Sequence, residues 1–225
     1  MSHQPVPGRA ASLKRPPLRT TVRELLLERI LAGRYGLGDR LVEYRIAREL
    51  GVSQAPVREA LRDLEAMRVV DIRAHLGARV RDLPVAELAE AAPVRAALEE
   101  TAAGLAAGRL AHRPGDLDRL REHLDAMRAA AADGDPRGLA RHSVAFHRQI
   151  VVSAGNPVLL DVWNALGIEL HTALGVRDAP RSLSESADSH QPILDALSSG
   201  DAEAAARLSR EHARSWAAQP VKRTC

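Results

Sequence analysis

The 225-residue chain contains 32 Lys or Arg against 29 Asp or Glu, and 45% of its residues are hydrophobic although only 2% are aromatic. A core must therefore be built from Leu, Val, Ile and Ala, which is typical of packed helices rather than of β-sandwiches. The one cysteine, Cys225, excludes an intramolecular disulfide and a thiol-rich metal site, and no apolar run is long enough for a membrane span or a secretion signal. We expect a mainly α-helical protein of the cytoplasm, without a membrane partner.

The charges are unevenly distributed along the chain. Residues 1–82 hold 16 basic and 10 acidic side chains, whereas the remaining residues hold 16 and 19. A basic N-terminal part is suited to a polyanion such as DNA, although a solvated basic face would produce the same count. Residues 1–17 combine prolines with Arg and Lys and are predicted to form a flexible basic tail.

Residues 18–82 have the pattern of a winged helix-turn-helix. An amphipathic helix is predicted from Thr20 or Thr21 to about Gly33, followed by a turn at residues 36–39 and a helix-turn-helix over residues 45–65. Ser53 is a candidate N-cap for the second helix of that motif. The helical spacing buries Val57, Leu61 and Leu64 and leaves Gln54, Ala55, Arg58 and Arg62 exposed as candidates for reading DNA.

Two short β-like runs, residues 69–72 and 77–80, follow the second helix and predict a hairpin, the wing of the motif. Beyond them the period is helical almost to the C-terminus, so residues 83–220 are predicted to form an all-helical bundle. Pro, Gly and Asp punctuate that bundle and place its helices at residues 84–91, 94–111, 116–132, 136–153, 157–176, 182–198 and 201–217.

The segment from Glu49 to Leu61, ELGVSQAPVREAL, resembles the signature of the GntR family of bacterial transcription regulators. The C-terminal half is similar to the helical ligand-binding domain, of the FCD type, in the FadR-like branch of that family. This second resemblance is carried by the segments VRAALE (94–99) and FHR (146–148), by Gly155-Asn156, and by His190 and His212.

The resemblance implies a homodimer that binds an inverted-repeat operator in double-stranded DNA and acts as a repressor controlled by a small carboxylate or sugar acid. The helical domain would bind this effector and form the dimer. The positions that contact DNA in the family correspond here to Arg45, Ser53, Gln54, Ala55, Arg58 and, in the wing, Gly77. Gln54 replaces an arginine that is frequent in the family, and this exchange favours adenine over guanine.

The resemblance also implies a metal site in the helical domain. The family's ligands correspond to His147, His190 and His212, while Ser143 stands where the usual Asp would be the fourth ligand. Three imidazoles suit a divalent transition metal such as zinc or nickel. The alternative is that these histidines line a polar effector pocket that holds no metal.

Arg95 and Arg148 match family positions near the pocket and are candidate anchors for an anionic effector, although each is equally suited to an interhelical salt bridge. Two other functions stay open: a constitutive DNA-binding regulator whose helical domain serves only for dimerisation, and a metal-dependent hydrolase. The sequence carries no nucleophile elbow, His-Glu-x-x-His pair or phosphate-binding loop, so we do not expect an enzyme.

Overall fold

The structure is a computed structural model that describes residues 17–73, 76–82, 85–178 and 181–217. Its elements in chain order are α1 (Leu18–Leu31), β1 (Arg40–Leu41), α2 (Glu43–Leu50), α3 (Gln54–Ala66), β2 (Val70–Arg73), β3 (Gly77–Val80), α4 (Val85–Leu110), α5 (Pro114–Ala132), α6 (Pro136–Ser153), α7 (Pro157–Asn164), α8 (Ile168–Asp178), α9 (Leu183–Asp188), α10 (Gln191–Ser199) and α11 (Ala202–Ala217). The predicted tail, apart from Pro17, lies outside the described residues, as do the two wing residues 74 and 75.

The first three helices and a small antiparallel sheet enclose one hydrophobic core. The strands of the described chain are ordered β1-β3-β2, with Val70 opposite Val80 and Arg40 opposite Arg79. Leu26, Val57 and other aliphatic side chains of α1, α2, α3 and the sheet fill this core. The predicted winged helix is therefore confirmed, but the sequence reading placed only a turn before α2 and missed β1.

The turn of the helix-turn-helix is made as predicted by Gly51, which has a φ of 65° and ends α2. Ser53 takes the extended N-cap conformation before α3, yet its side chain makes no capping hydrogen bond, so this part of the prediction was wrong. The first helix also begins earlier than predicted, at Leu18, because Thr20 and Thr21 already lie within its first turn.

The helices from α4 onward pack around a second hydrophobic core. Helix α4 lies along α11, α5 packs on α6, and α6 packs on α8. Alanines contribute much of the α4 face, while Trp163 and Phe146 supply the largest buried side chains. The predicted helical bundle is confirmed. None of the helices in the described ranges is long and apolar enough to cross a membrane.

Three predicted helix boundaries in the bundle were wrong. Helix α4 runs through Pro93, at which the sequence predicts a break between two helices. Packing of α4 along α11 offsets the cost of an internal proline, about 3 kcal/mol. The predicted helix 157–176 is divided before α8 by Gly167, with a φ of 66°, and the predicted helix 182–198 is divided at His190.

Candidate functional site

The exposed face of α3 carries the side chains predicted to read DNA. Gln54, Ala55, Arg58 and Arg62 are exposed, whereas Val57, Leu61 and Leu64 are buried in the core of the winged helix. Burial of one face fixes the rotation of α3 and so decides which side chains face solvent. The remaining predicted DNA contacts, Arg45, Ser53 and Gly77, are exposed as well.

Arg58 is held by an acidic side chain of the preceding helix. Its Nε donates a hydrogen bond of 3.1 Å to Oε2 of Glu43, and its Nη2 lies 3.1 Å from the same oxygen. Because the side chain of Arg58 is 54% exposed and that of Glu43 is 34% exposed, solvent screens this pair, so it contributes little stability and water or a phosphate can replace it. The pair therefore positions a cation on the α3 face without burying it.

Three histidines from separate elements converge inside the helical bundle. His147 comes from α6, His190 from the junction between α9 and α10, and His212 from α11. All three are buried, and each offers a ring nitrogen within 4.8 Å of those of the other two. The structure thus brings together the three histidines predicted as metal ligands, which we call the histidine cluster.

Two of these rings are oriented by neighbouring oxygen atoms. Nδ1 of His190 lies 3.1 Å and 3.2 Å from the carbonyl oxygens of Ser186 and Ala187 in the last turn of α9. Nδ1 of His190 is then the donor, and its Nε2 accepts from the hydroxyl of Ser143 at 3.1 Å. Ser143 is accordingly placed at the edge of the histidine cluster.

His147 is oriented by a carboxylate that the sequence analysis did not select. Oε2 of Glu99 lies 3.1 Å from Nδ1 of His147, which favours the tautomer that carries its proton on Nδ1. The other nitrogen, Nε2, is buried and has no hydrogen-bond partner among the described residues. A lone pair directed into the cluster and a carboxylate behind the ring match the arrangement that supports metal-bound histidines.

Glu99 is the centre of a buried polar network. Its Oε1 accepts hydrogen bonds from Nε of Arg95 at 2.7 Å and from the indole of Trp163 at 3.3 Å. Burial alone would raise the pKa of Glu99, but the Arg95 guanidinium and His147 together hold it below its ordinary value. The sequence does contain a signal for the Arg95–Glu99 pair, because Glu99 follows Arg95 by four residues within an alanine-rich helix.

Burial favours the neutral form of two histidines in the cluster, His190 and His212. Burial, together with the charge of the neighbouring His147, lowers the pKa of His190 to about 3. Burial likewise lowers the pKa of His212 well below its ordinary value. Neutral rings are the form that ligates metal. Three nitrogen donors in one buried site therefore fit a divalent transition metal such as zinc or nickel better than magnesium or calcium.

The structure separates the two predicted effector anchors. Arg95 is buried and donates to Glu99 and, at 3.2 Å, to the hydroxyl of Thr172 on α8. Arg148 is exposed. Burial raises the pKa of Glu169, and the charges of Arg148, Arg23 and Arg95 oppose that rise. The structure therefore connects Arg95 with the histidine cluster through Glu99, whereas Arg148 lies on the exposed side of α6.

Together, the winged helix and the helical bundle with its buried polar site define a DNA-binding regulator with an attached sensor-type domain. The profile described as bacterial regulatory proteins, gntR family, matches residues 18–80, and the profile of the FCD domain matches residues 90–215. The chain therefore belongs to the GntR family of bacterial transcription regulators, in the branch that carries an FCD domain.

Similar proteins support this assignment over most of the chain. The probable D-xylose utilization operon transcriptional repressor of Paenarthrobacter nicotinovorans is 41% identical over 204 residues, which are 91% of this chain and 89% of the relative. The regulator McbR of Escherichia coli is 28% identical over 88% of this chain and 90% of its own. The solved structure of E. coli McbR/YncC superposes with a TM-score of 0.74 at 25% identity, covering 89% of this chain and 95% of that one.

These relatives are transcription regulators, which confirms the predicted class of protein and removes the hydrolase alternative. GntR regulators bind DNA operators and FCD domains bind small-molecule effectors. The predicted roles of individual residues in the winged helix and in the histidine cluster stay predictions.

Proposed function

We propose that the protein is a homodimeric repressor that binds an inverted-repeat operator in the cytoplasm and responds to a small carboxylate or sugar acid in its helical domain. The observation that carries this proposal is the buried cluster of His147, His190 and His212 in the FCD domain of a chain whose winged helix exposes a cationic α3 face. On that face, DNA contact is assigned to Arg45, Ser53, Gln54, Ala55 and Arg58, with Gly77 in the wing.

The histidine cluster is proposed to hold a divalent transition metal, most simply zinc, through one ring nitrogen of each histidine. A bound metal would supply a positive charge that attracts an anionic effector. Because imidazole ligands contribute no formal negative charge, three histidines would leave the charge of the ion uncompensated. Ser143 would leave the fourth position to water or to the effector, and Glu99 would keep His147 in the ligating tautomer.

Glu99→Gln is expected to weaken zinc binding by about 10- to 100-fold, the effect typical of losing a residue that orients a metal ligand. The amide cannot supply the negative charge that lies beside Nδ1 of His147 at 3.1 Å. Zinc affinity is measured by competition with a chelator, after circular dichroism has shown that the variant is folded. Glu100→Gln, which removes an acid paired at 2.7 Å with Arg210 on α11, is the matched control. Equal zinc affinities of Glu99→Gln and the unmutated protein would show that Glu99 does not support His147 as a zinc ligand.

Ser143→Asp is expected to tighten zinc binding, by about tenfold or more, because it adds a carboxylate ligand next to His190. Without zinc, the same variant should unfold at a lower temperature, since Ser143 is buried and its replacement would bury a charge. Ser153→Asp, another buried serine of α6 that lies outside the cluster, should be destabilised without any gain in affinity. A titration in which Ser143→Asp gains nothing would place this residue outside the ligand set.

Helix α8 offers a physical link between the sensor site and the DNA-reading helix. On one side, Thr172 accepts a hydrogen bond from Arg95, the partner of Glu99. At the start of α8, Gly167 packs so closely that a Cβ there would lie 3.2 Å from the carbonyl oxygen of Met67, the C-cap of α3. A shift of α8 on effector binding would therefore act directly on the end of α3.

The proposed effector class is tested with a panel of sugars and sugar acids. The repressor relative is named for D-xylose utilization, and the gluconate operon repressor of Bacillus licheniformis is 30% identical over 61% of this chain. D-xylose, D-xylonate and D-gluconate are added to the zinc-loaded protein, and thermal unfolding and operator binding are followed. An effector at a hundredfold excess over its dissociation constant stabilises the fold by about 2.7 kcal/mol.

A compound that raises the unfolding temperature and changes operator affinity would support the sensor function. Tight operator binding that no member of a wide carboxylate and sugar panel alters would favour the constitutive regulator instead. Analytical ultracentrifugation of the same samples tests the homodimer, which the inverted-repeat operator requires.

A further inference from the structure

We propose a second small-molecule site, distinct from the histidine cluster, in a cleft between the winged helix and the helical bundle. The cleft is formed by the end of α1 and the loop after it on one side, and by α6 and α8 on the other. The lining residues are Ile30, Leu31, Gly33, Tyr35, Gly36, Leu37, Pro136, Arg137, Ala140, Leu170 and Ala173. We call this space the junction cleft.

The size and chemistry of the junction cleft suit a compact apolar molecule. Its volume is about 300 Å³, at the lower end of the range for ligand pockets. Aliphatic side chains supply most of the wall, and Leu37 keeps 37% of its surface exposed. An apolar ligand would remove this surface from water.

The positive charge of Arg137 makes a carboxylate the preferred polar group of a ligand in the cleft. Arg137 is the only basic side chain in the described lining, and its Nη2 would lie 3.3 Å from a Cβ on Gly33. Among the residues that the structure describes, no ion pair or side-chain hydrogen bond uses this guanidinium. Asp135 accepts a hydrogen bond from the backbone amide of Arg137, and Asp39 accepts one from the amide of Gly36. An apolar body with a single carboxylate therefore complements the cleft.

The junction cleft and the histidine cluster are separate sites on shared helices. Ala140 lines the cleft, whereas Ser143 and His147 lie about one and two turns further along α6 and face the cluster. No histidine belongs to the described lining of the cleft. A ligand there would contact both parts of the chain at once and would hold α1 against α6 and α8, so it would bias the position of the winged helix independently of any metal.

The test uses the full-length protein and a pair of probes, hexanoate and its neutral analogue hexanamide, followed by calorimetric titration. Hexanoate is expected to bind the unmutated protein. Arg137→Gln should lower the affinity for hexanoate by at least about tenfold, equivalent to about 1.4 kcal/mol. The affinity for hexanamide should not change. Ala173→Phe, at a half-buried position of the wall, should fill the cleft and abolish binding of both.

Two controls locate the binding. Arg141→Gln, an exposed arginine one turn further along α6 that does not line the cleft, should bind hexanoate normally. His212→Ala should also bind it normally, so that failure of the metal site and failure of the cleft are told apart. Hydrogen exchange should slow in residues 30–37 and in α8 when hexanoate is present. The proposal is overturned if hexanoate does not bind saturably, if Ala173→Phe still binds it, or if Arg137→Gln and Arg141→Gln behave alike.

Discussion

Replacement of His212 by alanine is expected to lower the affinity for zinc by more than about 100-fold, so that the purified protein loses its zinc. The loss exceeds that expected for Glu99→Gln because His212 would bind the metal directly, whereas Glu99 only orients a ligand. His212 approaches the cluster from α11, and the distance between its ring centre and that of His190 is 4.4 Å. Without it two imidazoles stay, which is too few to fix a tetrahedral zinc site. Elemental analysis of purified protein and chelator competition give the measurement.

A histidine outside the cluster provides the matched control. His142 neighbours Ser143 on α6, but its ring lies against His123, with 5.8 Å between the ring centres. His142→Ala should therefore keep the affinity of the unmutated protein for zinc. His212→Gln repeats the test with a side chain of similar volume, in case the alanine leaves a destabilising cavity. Unmutated protein that binds no zinc, or His212→Ala that binds it as tightly, would contradict the metal site.

Zinc binding should also appear in the unfolding temperature. A ligand that binds the folded chain alone stabilises it in proportion to the logarithm of its concentration, so the unmutated protein should gain stability as zinc rises. His212→Ala should gain none. If zinc stabilises both proteins equally, the ion acts elsewhere on the chain.

The second large effect is expected for Arg58→Ala, which should weaken operator binding by about 10- to 100-fold while leaving the fold intact. The reason is that a specific arginine contact with a base or a phosphate contributes about 1–3 kcal/mol to binding. The side chain of Arg58 is 54% exposed near the start of α3, so its removal disturbs no packing. Operator affinity is measured by fluorescence anisotropy at several salt concentrations, using a DNA site selected with the unmutated protein.

Two further variants make this test specific. Glu43→Gln removes the acidic partner of Arg58 and should keep or increase affinity, because it takes a negative charge away from the DNA-facing side. Arg119→Ala removes an exposed arginine of α5 in the bundle and should have no effect. Operator affinity of Arg58→Ala within twofold of the unmutated value would exclude Arg58 from the DNA contacts.

Much of the winged helix could be predicted because its signals are local. Gly51 permits the tight turn, and the spacing of Val57, Leu61 and Leu64 fixes which face of α3 is buried. Strand β1 could not be predicted, because two residues carry no periodicity and their strand character depends on pairing with β3. Two of the predicted bundle boundaries were wrong for a related reason. Pro93 is accommodated by packing within α4, whereas Gly167, with a φ of 66°, lies in the turn that separates α7 from α8.

For the histidine cluster, the sequence by itself determined which residue types were present: three histidines, and a serine in place of the family's aspartate. Their separation along the chain says nothing about their distance in space, and only the tertiary structure decided that α6, α11 and the α9–α10 junction bring their ring nitrogens within 4.8 Å. The same packing brings Glu99 beside His147 and Thr172 beside Arg95, and it leaves the junction cleft next to α8. Local signals set the helices and their faces, whereas the orientation and pKa of a buried group depend on the neighbours that folding provides.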